Sequence, residues 1–452
     1  MIKGSSHTRR VFLQRGLALV SAAVTVPLFI DNTVWAMTDP LDHKRTQQDS
    51  GTDGKILVVI QMSGGNDGLS MVCPYADDAY HRARPTLGKK ADNVLKLNNY
   101  IGLNKNLGPI KALYDDGMAT LIQGVGYPNP NRSHFRSMDI WHTAEPEKET
   151  STSGWLGRYF DNTCGGTDPH NTGSAAIGGV AGIAIGGQAP LAMKGEKTMP
   201  LSFDRPENYR YNGNDKDDYK KLNSEMGMNV SADQSPTKPS APPTVAKKQP
   251  AIITPGSQLE FLTRTSMDAQ VSSDKILDIV GNYHTTANYP GNEFGRGLKT
   301  TAAMIRGGLP TRVYYVSMGG FDTHAGQEGR HDRLMTEFAQ GVSAFMQDLK
   351  DQKNDDRVCV MCFSEFGRRV EQNASGGTDH GAAAPMFVFG RGISKHPGIV
   401  GEHPSLTKLD GGDLIHTIDF RSVYASILQD WLGTASKPIL GQQFKTMPIF
   451  RA

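Results

Sequence analysis

The stretch KILVVIQMSGGND, residues 55–67, decides the fold, because a run of apolar and β-branched residues ends there on two glycines, an asparagine and an acid. A continuous apolar run predicts a strand that is buried on both faces, as in a parallel sheet covered by helices. Further runs of this kind lie at residues 118–126, 312–320, 357–367 and 385–392. The sequence therefore predicts a sheet built from these strands.

Amphipathic segments lie between or after the apolar runs. Apolar residues recur at steps of three and four within residues 293–310, 331–352 and 419–433, which predicts helices with one buried face. Helices that alternate with strands indicate an α/β fold, with a doubly wound, mostly parallel sheet and helices on both faces.

Residues 1–36 are predicted to be a twin-arginine signal peptide. Arg9 and Arg10 precede Val-Phe-Leu, and the apolar run that follows is short for a membrane span. Small residues near Ala36 suggest cleavage after it; the alternative is an uncleaved N-terminal anchor. The expected partners during export are the twin-arginine translocase and signal peptidase. The mature chain is then periplasmic or secreted, without a membrane span.

Three further predictions concern the rest of the chain. Residues 37–54 form a flexible leader, and residues 55–452 form a single α/β domain. Within it, residues 226–255 are rich in Pro, Ser, Thr and Lys, which predicts a flexible insertion. The formal net charge of +2 is too small for the field that nucleic-acid binding requires, so no nucleic acid is expected.

The cysteines do not suggest a redox or metal motif. Cys359 and Cys362 lie three residues apart in an apolar run, and such positions on a strand face opposite sides of the sheet. They are therefore predicted to be buried thiols. The sequence leaves open whether Cys73 and Cys164 form a disulfide.

Acidic residues follow three of the predicted strands. Asp67, Asp322 and Glu365 each stand just past a strand end, where open parallel sheets bind their ligands. Three acids at one edge repel each other unless a cation lies between them, so one or two divalent metal ions are expected. The neighbouring His324 and the pair Asp379-His380 add imidazoles, which favour Zn or Mn over Mg or Ca.

Ser133 opens a helix after the prolines of PNPNRSHFR. Two interpretations remain open: the hydroxyl caps the helix, or it is a nucleophile activated at a helix N-terminus near a metal. Arg132 and Arg136 could hold anionic oxygens, and Arg368 could neutralise the acids or bind substrate. His134 is expected to be a surface or capping group.

Seven segments carry a family resemblance. They are VVIQMSGGNDGLSMVCP, PNPNRSHFRSMDIW, SGWLGRYFD, VSMGGFDTHAGQ, FSEFGRRVEQN, GTDHG and DFRSVYASILQDWLG. Together they resemble the bacterial family catalogued as domain of unknown function 1501, which is similar to the alkaline phosphatase and sulfatase superfamily. The resemblance implies an alkaline-phosphatase-like fold, with Asp67 as a metal ligand and Ser133 as the nucleophile.

The resemblance also implies roles for the later motifs. Asp322 and His324 are similar to the Asp–His metal pair of the superfamily, with a spacing shortened by two residues. Glu365 stands where the superfamily has an aspartate that binds metal. His380 resembles the late histidine of the first metal site, while Asp379 is the alternative ligand for a second site; both remain open.

The expected function is metal-dependent hydrolysis of a small anionic ester, a phosphate or a sulfate, by a serine nucleophile. Two other interpretations stand beside it. One is an exported protein that binds a metal or an anion, or serves in assembly, without catalysis. The other is an inactive scaffold that retains the fold, since catalysis depends on the site and not on the fold.

Overall fold

A nine-stranded sheet is the centre of the computed structural model, which describes residues 54–163, 182–208 without 197 and 199, and 273–450 without 392 and 394–397. The strands of this sheet and of three small sheets are β1 Ile56–Met62, β2 Val72–Cys73, β3 Val94–Lys96, β4 Gly102–Asn104, β5 Ala119–Gly126, β6 Gly182–Ile185, β7 Leu201–Phe203, β8 Val313–Met318, β9 Val358–Phe363, β10 Arg368–Gln372, β11 Thr378–His380, β12 Ala384–Phe389, β13 Ile399–Val400, β14 Leu409–Asp410, β15 Asp413–Leu414 and β16 Ile418–Asp419.

The large sheet is mostly parallel, as predicted. Its order is β13-β5-β12-β9-β1-β8-β6-β7, and β16 also pairs with β5. The central strand β1 runs parallel to both β8 and β9. The predicted strand at 385–392 differs: β12 is antiparallel to β5 and β9. After β9 the chain forms the β10–β11 hairpin instead of a helical crossover, so it returns from the edge where β9 ends.

Helices cover both faces of the sheet, which confirms the predicted layers. They are α1 Gly68–Met71, α2 Asp78–Ala83, α3 Gly108–Asp115, α4 His134–Thr143, α5 Trp155–Thr163, α6 Glu293–Arg306, α7 Gln327–Asp351, α8 Phe420–Ser426 and α9 Lys437–Leu440. Short 3₁₀ turns lie at Ala91–Asn93, Lys105–Leu107, Leu191–Met193 and Pro206–Asn208, a π-helical turn at Ile427–Trp431, and a further helical segment at 273–281.

Each face of the sheet has its own core. On one face, Val58 and Ile60 of β1 join the buried residues of α3, α6 and α7. On the other face, Leu57 and Val59 join those of α4, α5 and α8. This alternation along one strand is the two-residue period expected of a strand buried on both faces.

The two thiols of β9 follow the same alternation. Cys362 belongs to the first core and Cys359 to the second, and both are free and fully buried. The prediction of buried thiols on opposite faces is confirmed. Burial also raises the pKa of Cys73, to about 12.

Three predicted segments lie wholly or almost wholly outside the residues that the structure describes. The predicted signal peptide at 1–36, the leader at 37–54 apart from residue 54, and the insertion at 226–255 fall outside the described residues. In the described part of the chain, no helix combines the length and apolarity needed to cross a membrane.

Candidate metal centre

Four side chains converge at the edge where the parallel strands end. Asp322 and His324 follow β8, His380 ends β11, and His134 begins α4. Asp322 Oδ1 lies 2.9 Å from His324 Nε2 and 3.3 Å from His380 Nε2. His134 Nε2 lies 3.6 Å from Asp322 Oδ2, and His134, Asp322 and His380 have ligand atoms within 4.8 Å of one another. We call these four residues the histidine cluster.

Each histidine of the cluster is oriented through its Nδ1 atom. The acceptors are the Arg132 backbone carbonyl for His380 at 2.8 Å, Glu365 Oε1 for His134 at 2.9 Å, and Asp379 Oδ1 for His324 at 3.1 Å. A carbonyl or carboxylate oxygen only accepts hydrogen bonds, so each Nδ1 carries the ring proton. The three Nε2 atoms therefore present lone pairs, which is the usual state of histidines that bind metals.

Two of these lone pairs face each other directly. His324 Nε2 lies 2.9 Å from His380 Nε2, and Asp322 Oδ1 lies close to both. Two lone pairs and a carboxylate oxygen at such distances repel each other unless a proton or a cation lies among them. Imidazole nitrogens with one carboxylate suit Zn or Mn better than Mg or Ca. The donor set fits a divalent metal ion.

The charge states of the cluster agree with this. Burial would raise the pKa of Asp322, but the hydrogen bond from Arg368 and its positive charge outweigh burial and lower the pKa to about 2. Burial lowers the pKa of His380. At neutral pH the carboxyl is ionised and this imidazole is neutral, and these are the forms that bind metal ions.

Glu365 lies behind the cluster. Its side chain is fully buried, and Oε1 accepts hydrogen bonds from His134 Nδ1 and from the Gly64 backbone N–H at 2.8 Å. The Ser364 hydroxyl lies 3.2 Å from Oε2. In this arrangement Glu365 orients a histidine, whereas the sequence suggested a direct metal ligand.

Asp379 and His380 occupy different places relative to the cluster. The Nε2 atom of His380 points to its centre. Asp379 Oδ1 instead lies 3.1 Å from both His324 Nδ1 and Asn373 Nδ2, and these bonds, that from Asn373 first, lower the pKa of Asp379. The sequence left open which of the two residues is a ligand. His380 has the position of a metal ligand, whereas Asp379 orients the ring of His324.

Asp67 lies outside the cluster and has another cation as its partner. The Arg84 guanidinium binds it in a bidentate pair, with Nη1–Oδ2 at 2.6 Å and Nη2–Oδ1 at 2.9 Å, and both side chains are fully buried. Burial would raise the pKa of Asp67, but the charge and hydrogen bonds of Arg84 hold it well below its usual range. Asp67 therefore has no free oxygen pair for a metal, and the sequence did not indicate Arg84 as its partner.

A buried amide connects Asp67 to the loops of the cluster. Gln327 Nε2 donates to Asp67 Oδ2 at 2.5 Å. Gln327 Oε1 accepts from the Thr323 hydroxyl at 3.0 Å and from the Thr378 hydroxyl at 2.6 Å. Thr323 lies between Asp322 and His324, and Thr378 lies two residues before His380. Asp67 therefore helps to hold both loops of the cluster in place through Gln327.

Ser133 lies between two residues that contribute to the cluster. The carbonyl of Arg132 accepts from His380, and the ring of His134 belongs to the cluster. Ser133 is exposed and occupies the N-cap position of α4, yet its side chain makes no capping hydrogen bond. Ser133 therefore lies at the predicted N-terminal end of the helix, but its hydroxyl does not form the capping hydrogen bond.

The three arginines predicted to bind substrate are engaged by the protein itself. Arg132 pairs with Asp413 at 2.6 Å. Arg136 donates to the carbonyls of residues 146, 148 and 149. Arg368 donates to the Gly65 and Thr378 carbonyls at 2.6 and 2.8 Å and to Asp322 Oδ1 at 2.7 Å. These guanidinium groups hold loops together, which differs from the expected binding of anionic oxygens.

Gly64, after the end of β1, allows close approach of the loop that follows β8. Gly64 has φ +119°, and a Cβ atom there would lie 2.5 Å from the Asp322 backbone nitrogen. No other residue type fits this position without moving the loop. The glycine that follows β1 is thus required by the position of the loop after β8.

His134 is the cluster member that sequence reasoning missed. The sequence feature that could have indicated His134 as a ligand is its position directly after the candidate nucleophile Ser133. Its ring also packs against Phe366 and His380, with centroid distances of 4.9 and 4.3 Å.

The family model described as protein of unknown function DUF1501 matches residues 118–424, more than half of the chain. The protein therefore belongs to this family. No curated protein matches the chain.

Solved structures with similar folds include two bacterial proteins. One is the PsFucS1 sulfatase from Pseudoalteromonas sp., at 10% identity and a TM-score of 0.36, covering 91% of this chain and 71% of that one. The other is the lipoteichoic acid synthase LtaP from Listeria monocytogenes, at 8% identity and a TM-score of 0.32, covering 79% and 73%.

Proposed function

We propose that this protein is an exported, metal-dependent hydrolase of phosphate or sulfate esters with Ser133 as its nucleophile. One observation carries the proposal: three histidine Nε2 atoms face Asp322 while every Nδ1 donates to a fixed acceptor. Such an array is stabilised by a proton or a cation at its centre, and its donor atoms fit a divalent metal ion.

His134, His324, His380 and Asp322 would hold one divalent ion, for which Zn or Mn is the better match. When bound, the ion would supply Lewis-acid stabilisation of negative charge on a phosphoryl or sulfuryl group. Because Arg132, Arg136 and Arg368 are held by internal partners, this positive charge is the natural anchor for an anionic ester.

The chain's own residues would carry the covalent steps. Ser133 Oγ forms a bond to phosphorus or sulfur while the bond to the ester oxygen breaks, and the alcohol leaves with the proton that Ser133 releases. Water then cleaves the seryl ester, which restores the hydroxyl and yields phosphate or sulfate. The absence of a capping bond from Ser133 leaves its hydroxyl available for this role.

The proposal is tested on purified protein by elemental analysis together with hydrolysis of 4-nitrophenyl phosphate and 4-nitrophenyl sulfate. The Ser133→Ala variant is expected to keep its metal and lose hydrolysis. Asp322→Ala is expected to lose both. His284→Ala is the matched control: it removes an exposed histidine that is not part of the histidine cluster. It should change neither the metal content nor the rate of hydrolysis. Hydrolysis that survives in Ser133→Ala would exclude the serine mechanism.

A second candidate is a metal-binding protein without catalysis. It is favoured by the internal engagement of all three candidate substrate arginines. This candidate predicts metal bound in the wild type and lost in Asp322→Ala, with no hydrolysis of either ester. A protein without bound metal, whose melting temperature does not rise with added Zn or Mn, would contradict both candidates.

A further inference from the structure

A cavity of about 300 Å³ adjoins the histidine cluster. Phe366 forms part of its wall and also packs against the rings of His134 and His380, at centroid distances of 4.9 and 4.7 Å. Asn129 and Pro130 line it too, and they lead directly to the Ser133 segment. A group bound in this cavity would therefore lie on the other side of the Phe366 ring from two of the proposed metal ligands.

The walls of the cavity combine apolar surface with acids. Tyr127, Phe366 and Leu414 are buried residues that line it, and Ile415, which is 38% exposed, also contributes. Two carboxylates, those of Asp410 and Asp413, complete the lining. No lysine or arginine occurs among the described residues that line it.

Asp413 has an unused hydrogen-bond acceptor here. Its side chain is 1% exposed, and Oδ2 accepts from Arg132 Nε and Nη2 at 2.7 and 2.6 Å. Among the described residues Oδ1 has no hydrogen-bond partner, and Arg369 Nε lies 3.8 Å from it. A buried acceptor without a donor is costly, so a ligand that brings a donor would gain from meeting it.

We propose that this cavity is the leaving-group pocket: it binds the alcohol part of the ester, a compact and largely apolar group that carries an O–H or N–H donor for Asp413 Oδ1. This rests on the proposed function, because it assigns the cavity to the alcohol released there. The volume is at the lower end for small-molecule pockets, which excludes large or polymeric alcohol groups from full burial.

The ester-free alcohols provide a test that does not depend on catalysis. The probes are 4-(aminomethyl)phenol, 4-(hydroxymethyl)phenol and 4-ethylphenol, titrated calorimetrically into the whole purified protein. The phenolic hydroxyl, which all three probes share, takes the place of the ester oxygen. The two probes with a second donor on the para substituent are expected to bind at least about tenfold more tightly than 4-ethylphenol, since a hydrogen bond to a charged acceptor favours them. The first two probes distinguish an ammonium from a hydroxyl as the preferred donor.

Two variants examine the pocket separately. Asp413→Asn replaces the free acceptor and should remove the preference for donors. Ala382→Leu adds bulk to a residue that lines the cavity, leaves Asp413 in place and should weaken binding of all three probes. Ala374→Leu, on an exposed turn, is the matched control and should bind as the wild type does.

Hydrolysis of the corresponding phenyl phosphates and sulfates separates this proposal from the proposed function. Hydrolysis without any preference for the alcohols with a second donor would overturn the pocket assignment and leave the hydrolase intact. Selective binding of the two phenols with a second donor, without hydrolysis of any ester, would retain a donor-binding pocket and overturn the proposed function. Equal binding of all three phenols, or no binding, would refute the inference.

Discussion

Replacing Arg84 by Met should be one of the most destabilising single changes in the interior. The guanidinium neutralises the fully buried Asp67 carboxylate and also donates to the backbone carbonyls of Val370 and Arg369, each at 2.8 Å. Loss of one partner from a buried ion pair costs about 3–5 kcal/mol. The two carbonyls left without their donor should bring the loss in the free energy of unfolding to the upper part of that range.

The effect should also depend on pH. The folded-state pKa of Asp67 is held below its unfolded value, so its contribution to stability is present above the unfolded pKa and is lost as the pH falls. Without Arg84, burial would raise the pKa of Asp67 and penalise its ionised form. The difference between wild type and Arg84→Met should therefore be largest near neutral pH and shrink as the pH falls through the carboxyl range.

The assay is urea unfolding followed by tryptophan fluorescence, for Arg84→Met, Asp67→Asn and the double variant. Each single variant leaves one buried charge or dipole without its partner, so the double variant should lose less than the sum of the two single losses. A loss below about 1 kcal/mol in Arg84→Met, or strictly additive losses, would refute the account of this pair as a buried structural anchor.

Three other predictions concern the site and the core. Glu365→Gln should weaken metal binding about 10–100-fold, because a neutral amide oxygen accepts a weaker hydrogen bond from His134 than the carboxylate does, as measured by competition with a chelator. Gly64→Ala should lower the free energy of unfolding by about 1–3 kcal/mol and reduce metal binding, because its Cβ would displace the Asp322 loop. In a Cys164→Ser background, Cys73 and the other buried thiols should resist iodoacetamide at pH 8 until the protein is unfolded, as mass spectrometry can show.

Each of these has a matched control or a decisive contrary result. Glu371→Gln changes an exposed acid and should leave metal binding unaltered. Gly308→Ala meets a positive φ of +69° with open space around the new Cβ, so it isolates backbone strain from the clash at Gly64. Rapid labelling of the native thiols would contradict their burial.

The sequence made most of the sheet predictable, because its information is local. The β1 run of residues 56–62 is apolar at every position, and its burial on both faces follows from that composition alone. The short strand β7 was not identified, since three residues carry little periodicity. The direction of β12 also escaped prediction, because it depends on the hairpin that precedes it.

The sequence by itself determined the α/β class, the family and the acids and histidines that gather at one edge, since strand ends in a parallel sheet share that edge. Only the tertiary structure decided their roles. It placed Arg84 on Asp67, put Glu365 and Asp379 behind the rings they orient, and added His134 to the cluster. These outcomes depend on contacts between residues as far as 231 positions apart, such as that of Glu365 with His134, which no local pattern in the sequence records.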